Sequence, residues 1–287
     1  MNEVKLTIIV PCYNEGAALP SFISKLSEAA KSIKELVEII LVDDGSSDNT
    51  PEILKDIPQG FNSISHPRNR GYGAALKTGL KNAKGEWIAI IDADGTYGPE
   101  ELSNLWDETK NNDMVVGRRT RNIGFLRSIP KWILTRLATI LSGAPIPDLN
   151  SGLRIFRKDI ARKFINLYPD GFSFTTTITL AFLCEGYSVH FEPIDYHKRT
   201  GHSKIHPIKD TYNFFTLILK IILYFNPLKV LLPISLGLIA LGTVVLFWTW
   251  HLGQVMDVTV TVIYMLAIHV AVLGLLADLM IKRSRPN

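Results

Sequence analysis

The sequence predicts a mainly parallel α/β domain followed by two membrane-crossing helices. Three observations carry this expectation. Short Ile- and Val-rich runs alternate with helical patterns through the first hundred residues. Three of those runs end in polar, mostly acidic residues. The last sixty residues hold two long stretches almost devoid of charge.

Leu6–Val10, Val37–Val42 and Trp87–Ile91 are short and mostly apolar, as strands buried on both faces should be. Between the first two, Ala17 to Ile33 places Leu19, Phe22, Ile23, Leu26, Ala29, Ala30 and Ile33 on one helical stripe. Gly73 to Ala83 repeats the pattern with Leu76, Leu80 and Ala83, and Pro99 opens a third helix that runs through Trp106. Asn62–Arg70 does not read as a strand. Strand and helix in this rhythm call for right-handed crossovers, with any ligand beyond the carboxyl ends of the strands.

Composition removes several classes. With 287 residues, 47% of them hydrophobic and a net charge of only +4, the chain is not disordered. Cys12 and Cys184 are too few and too far apart for a disulfide scaffold or a zinc ribbon.

Val230–Trp250 carries no charged residue, and Val258–Ala277 none if His269 is neutral; each has about the 20 residues that cross a hydrocarbon core. Trp248 and Trp250 close the first span, where amphipathic rings favour the interface. Lys220 and Lys229 precede the spans and Lys282, Arg283 and Arg285 follow them, while the loop from His251 to Asp257 has no Lys or Arg. This charge pattern places both termini in the cytoplasm. A buried helical hairpin in a soluble core is the bland alternative. The apolar run at Lys5–Pro11 is too short for a signal peptide, so the soluble region is expected to stay on the cytoplasmic side.

Each predicted strand leads into polar chemistry: Pro11-Cys12-Tyr13-Asn14-Glu15, Asp43-Asp44-Gly45-Ser46-Ser47-Asp48 and Asp92-Ala93-Asp94-Gly95. One acidic turn would mean little, but three on one edge indicate a site. Asp92 and Asp94 can both reach a hard divalent cation, Mg²⁺ or Mn²⁺, which then bridges to phosphate oxygens of a substrate.

These segments, with Asn69-Arg70-Gly71-Tyr72-Gly73-Ala74-Ala75, resemble the successive motifs of family 2 glycosyltransferases of the GT-A fold. Asp148-Leu149-Asn150-Ser151-Gly152-Leu153-Arg154 and Arg199-Thr200-Gly201-His202-Ser203-Lys204 further resemble the polyprenyl-phosphate sugar synthases, over roughly residues 5 to 225. The resemblance implies a Rossmann-like GT-A catalytic domain over 1–225. Trp132, Ile133, Leu137 and Ile140 among basic residues, and the strongly apolar Thr211–Phe225, predict interfacial helices near 125–142 and 206–225. A membrane anchor over 226–287 would hold transmembrane helices near 230–250 and 258–280.

It also implies roles. Pro11, Tyr13, Glu15, Asp43, Asp92, Ala93, Asp94, Arg199 and Lys204 would bind the nucleotide sugar, and Asp92 and Asp94 the metal. Arg119, Arg127 and Ser151 would meet the acceptor phosphate, and Asp94, Asp148, Arg119 and Arg127 would be catalytic. Asp148 could instead simply cap its turn. Thr96 stands where relatives often carry Gln two residues after the second Asp, and no Glu-Asp base motif of the hydroxyl-glycosylating relatives is present.

A lipid phosphate is already an anion and needs no general base, whereas a hydroxyl does. It needs cations instead, and the sequence provides them. Met114–Pro147 contains no acid but six Arg or Lys, and Tyr196–Lys209 contains Lys198, Arg199, Lys204 and Lys209 and no acid. Attraction to anionic headgroups would produce the same bias. His197, His202 and His206 are too irregularly spaced for a metal set.

The expected partners are therefore a nucleotide-sugar donor, a polyprenyl-phosphate acceptor and the membrane, without nucleic acid; a homo-oligomer is compatible with the sequence. The expected location is a multi-pass position in the cell membrane or, in a eukaryote, the endoplasmic reticulum. UDP-glucose, UDP-N-acetylhexosamine and GDP-mannose all stay open as donors, as do a saccharide or another lipid as acceptor and a non-catalytic nucleotide-sugar-binding scaffold. Gly71-Tyr72-Gly73, some 20 residues before Asp92, superficially suggests a dinucleotide fingerprint, but Leu76 occupies the place of its third glycine.

Overall fold

The computed structural model describes residues 3–120, 136, 138–140, 142–171, 173–196, 207–253 and 257–284. The predicted strands are present: β1 is Leu6–Cys12 and β2 Val37–Asp43, both longer than the apolar runs, while β4, Trp87–Ile90, ends one residue short of its run. Hydrogen bonding therefore carries Pro11, Cys12 and Asp43 into the sheet, with Cys12 beside Asp43. The first helix, α1, is Leu19–Ser32, and Leu19, Phe22, Ile23, Leu26 and Ala29 bury the predicted stripe. A single turn, α2, covers Thr50–Ile53. Helix α3 is Tyr72–Asn82 and α4 is Glu101–Glu108. Pro99 lies just outside α4, its carbonyl accepting the Leu102 N–H, so it shapes the entry turn rather than the first helical position.

One expectation is corrected. Phe61–Ser65 is a strand, β3, parallel to β2. It escapes hydrophobic patterning because it is the sheet edge: Phe61 and Ile64 are half-buried and the other three residues exposed. Its ladder to β2, not burial, defines it.

Three further strands complete the sheet: β5 (Met114–Arg119), β6 (Arg154–Arg157) and β7 (Val189–Ile194). The order is β3-β2-β1-β4-β6-β5-β7, with β6 antiparallel to both neighbours and all other pairs parallel. Helices α5 (Lys158–Lys163) and α6 (Phe174–Cys184) follow β6. One face of the sheet packs on α1 and α4 through Ile8, Val10, Leu26, Leu102 and Leu105. The other packs on α3, α5 and α6 through Ile9, Ile40, Leu76, Ile160 and Phe182. Each such fully buried aliphatic or aromatic side chain contributes about 1.5–3 kcal/mol.

A third cluster lies outside these layers. Ile218, Ile221, Ile222 and Phe225 of helix α7 (Pro207–Phe225) pack on Leu180 and Ala181 of α6. Helices α8 (Leu228–His251) and α9 (Asp257–Ser284) then form an antiparallel pair, joined by Ser235 Oγ donating to the Ala267 carbonyl at 2.8 Å and by Thr243 to Tyr264 at 3.0 Å. Both are long and apolar enough to cross a membrane, with mean hydropathy 2.5 and 2.4, and most of their surface is unburied. The interfacial helix expected near 125–142 falls largely outside the described residues.

The amino edge of the sheet is sealed by its own polar cluster. Glu38 accepts from Thr7 Oγ1 at 2.8 Å and from the Lys84 N–H at 2.9 Å, while Thr7 Oγ1 accepts the Gly85 N–H at 2.9 Å. Thr7→Val keeps the shape and strands these buried groups, an expected cost of about 1–3 kcal/mol. Denaturant titration should show that loss, with turnover per folded molecule unchanged. A drop in turnover of the folded variant would mean this edge participates in function.

Candidate active site

The loops after β1 and β2 are stitched together backbone to side chain. Asn14 sits at φ 56°, in the left-handed region that Asn tolerates. Its N–H donates to Ser46 Oγ at 3.0 Å and its side-chain oxygen accepts the Ser47 N–H at 2.8 Å. The Glu15 N–H donates to Thr50 Oγ1 and the Gly16 N–H to Asp48 Oδ2, each at 3.0 Å. Asp43, only 2% exposed, accepts the Ser46 N–H at 2.9 Å. Tyr13 projects from this rigid rim, 44% exposed. The predicted nucleotide set Pro11, Tyr13, Glu15 and Asp43 is thus gathered at the carboxyl ends of β1 and β2 and in the loop after β1.

Asp44, adjacent to Asp43, has a different job that sequence reasoning missed. It accepts from the Arg70 N–H at 2.9 Å and the Gly71 N–H at 2.7 Å, and shares a 2.7 Å hydrogen bond with His66 Nδ1. These bonds fix the entry to α3. Gly73 is required there because a Cβ would lie 2.1 Å from the Pro169 carbonyl oxygen. The glycines that superficially suggested a dinucleotide site serve this close backbone approach instead. The result is a placed hydroxyl: Tyr72 donates to Asp92 Oδ1 at 2.9 Å.

Asp92 and Asp94 stand at the end of β4, both partly exposed, with Ala93 between them turned into the core. Asp94 Oδ1 accepts from the Thr96 N–H at 3.1 Å and Thr96 Oγ1 at 2.6 Å. The departure at position 96 therefore supplies a bond that orients the carboxylate. On the other side of Asp92 runs the Asn150–Gly152 turn, so close that a Cβ on Gly152 would lie 2.1 Å from Asp92 Oδ2. The Gly152 N–H donates to the Tyr97 hydroxyl oxygen at 2.8 Å. Burial first, and Asp92 second, push the Tyr97 hydroxyl up to about 12, and Tyr72 moves upward for the same reasons. Both phenols stay neutral donors across the physiological range.

Asp148 and Arg119, expected as separate functional groups, are partners. Arg119 Nε and Nη2 both reach the carboxylate at 2.7 Å, and Asp148 also accepts the Asn150 N–H at 3.3 Å. Burial alone would lower the Arg119 pKa, but the bidentate pair raises it above its ordinary value. The guanidinium lies 5.4 Å from the centre of the Tyr196 ring, which packs edge-on against Tyr97 at 5.3 Å. Asp148 therefore caps its turn and orients Arg119. Ser151, expected at the acceptor phosphate, is fully buried, so its hydroxyl is not on the surface, and it joins the network through its carbonyl. Arg127, Arg199 and Lys204 lie outside the described residues.

No cluster of three or more metal-ligating side chains occurs among the described residues. Two partly exposed carboxylates one residue apart after a strand end nonetheless suit Mg²⁺ or Mn²⁺, which take one or two carboxylates and complete their shell with substrate phosphate and water.

The family model for glycosyl transferase family 2 matches residues 7–165. The chain belongs to that family. Its mixed, mostly parallel sheet is the GT-A arrangement. An undecaprenyl-phosphate 4-deoxy-4-formamido-L-arabinose transferase of Shewanella sediminis (strain HAW-EB3) is 29% identical over 219 residues, covering 74% of this chain and 63% of the relative. A protein of the same description from Aeromonas hydrophila is 32% identical over 165 residues, covering 55% of this chain and 51% of the relative. The chain thus spans less than two thirds of the length of either. Among solved structures, glucosyl-3-phosphoglycerate synthase of Mycobacterium tuberculosis, in complex with Mn²⁺, UDP-glucose and phosphoglyceric acid, superposes with a TM-score of 0.60 at 16% identity, covering 76% of this chain and 80% of that one. Mannosyl-3-phosphoglycerate synthase of Rubrobacter xylanophilus gives 0.58 at 15% identity, covering 76% and 73%.

Gly152→Ala tests the packing of the site. The added methyl has nowhere to go but into the Asp92 carboxylate. Sugar transfer should fall by about a hundredfold, the scale of a misplacement of around 1 Å at a reacting centre, with the melting temperature nearly unchanged. A fully active Gly152→Ala protein would show that Asp92 is not held as described.

Proposed function

We propose that this protein transfers a sugar from a nucleotide-sugar donor to a polyprenyl phosphate at a membrane surface. The observation that supports this most is the path from site to membrane-directed helix. Thr176, in the first turn of α6, donates to Asn150 of the site turn at 2.7 Å, and Leu180 and Ala181 of the same helix carry α7. An 11-residue helix is only about 16 Å long, so the site and the apolar helices are near neighbours. The two relatives from Shewanella sediminis and Aeromonas hydrophila, both described as undecaprenyl-phosphate sugar transferases, support the same acceptor class.

In this reading Tyr13, Pro11, Glu15 and Asp43 seat the nucleoside, with Arg199 and Lys204 as further donor contacts. Asp92 and Asp94 hold Mg²⁺ or Mn²⁺, which supplies charge neutralisation for the donor diphosphate. Arg127 meets the acceptor phosphate. Arg119, held by Asp148, adds positive potential that favours two anions in one cleft. A phosphate oxygen of the lipid forms the new bond to the anomeric carbon, and the sugar–diphosphate bond breaks with its electron pair leaving on the nucleoside diphosphate. No proton moves, so no base is needed.

Purified protein incubated with Mn²⁺, undecaprenyl or dolichyl phosphate and a panel of labelled UDP- and GDP-sugars should yield a lipid-linked sugar from one donor. Excess EDTA should abolish it, and Asp94→Asn should lower it by about two orders of magnitude or more. Transfer to saccharides but not to lipid phosphate would overturn the acceptor class. Full activity in EDTA would overturn the metal.

We further propose that residues 1–225 form a cytoplasmic catalytic domain and 226–287 an anchor with both ends cytoplasmic, on the strength of the flanking Lys and Arg. In a cysteine-free background, a cysteine at Gln254 should react with an impermeant thiol reagent on intact cells and one at Asn287 should not. The opposite labelling would reverse the topology.

A further inference from the structure

Arg154 opens β6 and is fully buried, between the sheet and α6. Its Nη1 donates to the Thr175 carbonyl at 2.9 Å and Thr179 Oγ1 at 2.8 Å, and its Nη2 donates to the Ser151 carbonyl. Its Nε has no hydrogen-bond partner, and no carboxylate stands within ion-pair distance of it among the described residues. Burial lowers its pKa, while Tyr72, Tyr97, Asp148 and Asp92, in that order, act to raise it. Arginine stays charged regardless. A buried guanidinium without a contacting carboxylate is costly, and an apolar residue of similar volume would avoid the cost. The charge and the fork are therefore present for what they hold.

What they hold is the back of the metal-binding edge. The Ser151 carbonyl belongs to the turn whose next residue, Gly152, abuts Asp92 Oδ2 and donates its N–H to Tyr97. The Thr175 carbonyl and Thr179 belong to α6, whose Thr176 holds Asn150. The guanidinium thus ties the middle of the Asn150–Gly152 turn, through Ser151, to the helix that also holds Asn150 through Thr176.

We propose that Arg154 is a positioning residue for the donor: its buried guanidinium locks the Asn150–Gly152 turn against α6 and so fixes the Asp92 carboxylate in the orientation that the metal–diphosphate requires. The proposal rests on the reading of Asp92 and Asp94 as the metal-holding pair. It assigns Arg154 no contact with substrate. Its loss acts through the turn, and Lys, lacking the planar fork, can hold only part of it.

The test uses the full chain in detergent and calorimetric titration with UDP or GDP, whichever the wild type binds more tightly, with and without Mn²⁺. The ratio of the two affinities is the metal-dependent gain. Arg154→Met should cut that gain by about tenfold, the scale of removing an outer-shell partner of a metal site, while metal-free affinity stays within about twofold because the nucleoside wall on β1 and β2 is untouched. Arg154→Lys should restore the gain to within about threefold of wild type, and Thr179→Val, which deletes one acceptor, should lower it in the same direction by less.

If Arg154→Met does not fold, the Lys and Val variants decide. An unchanged gain in every folded variant overturns the proposal. So does a loss of metal-free and metal-bound affinity in equal proportion, which marks a merely structural role. A wild type without any metal-dependent gain is a separate failure: it removes the metal reading of the site, and the role of Arg154 with it.

Discussion

The Asp92 carboxylate is the constraint to which the rest of the site answers. It stands partly buried at the end of a central strand, where a negative charge needs support, and it must point in one direction. Tyr72 supplies a hydroxyl to one oxygen, and the Gly152 backbone walls off the other. Neither support is local in sequence. The first arrives because Asp44 and His66 fix the entry to α3. The second arrives because Arg154 and Thr176 pin the 150–152 turn to α6. Segments 20 and 60 residues from Asp92 therefore meet on its side chain, and the parallel sheet makes this possible by delivering strand ends to a common edge.

The same economy governs the charges. Arg119 lies in a stretch of 34 residues without an acid, and its partner Asp148 is the first acid after that stretch. Pairing them removes the penalty of a nearly buried carboxylate and leaves the guanidinium fixed between Tyr196 and the site. Arg154 is handled differently, with carbonyls and a hydroxyl in place of a carboxylate, so that the region keeps positive charge in its interior. Buried or half-buried acids stay ionised where such cations stand close behind them.

Helix α6 links this chemistry to the apolar end of the chain. Its first turn touches the site and its middle carries Ile218, Ile221 and Ile222 of α7, which lead directly into α8. Its four buried threonines, Thr175, Thr176, Thr177 and Thr179, serve this double duty: the hydroxyls of Thr176, Thr177 and Thr179 donate to Asn150 and to the Ser173 and Thr175 carbonyls, and the Thr179 hydroxyl also accepts from the Arg154 guanidinium.

Much of this was legible in the residues alone. The apolar runs of β1, β2 and β4, the stripe of α1 and the two long apolar helices follow from periodicity and composition, because burial on both faces or exposure along a whole helix leaves a repeating mark. The position of Asp92 and Asp94 was legible too, since an acidic pair directly after an apolar run falls at a strand end. Strand β3 was not, because an edge strand of Phe61-Asn62-Ser63-Ile64-Ser65 is stabilised by its ladder and carries no clean pattern. Strands β5 to β7 were hidden behind the basic residues that flank them. Only the folded chain decides that Asp148 belongs to Arg119, that Ser151 is fully buried, and that Arg154 lies buried beneath the site. Each depends on an antiparallel strand inserted into a parallel sheet, which brings residues 116 and 154 side by side. Such register is a property of hydrogen bonding between distant segments, and it leaves no trace in either segment read by itself.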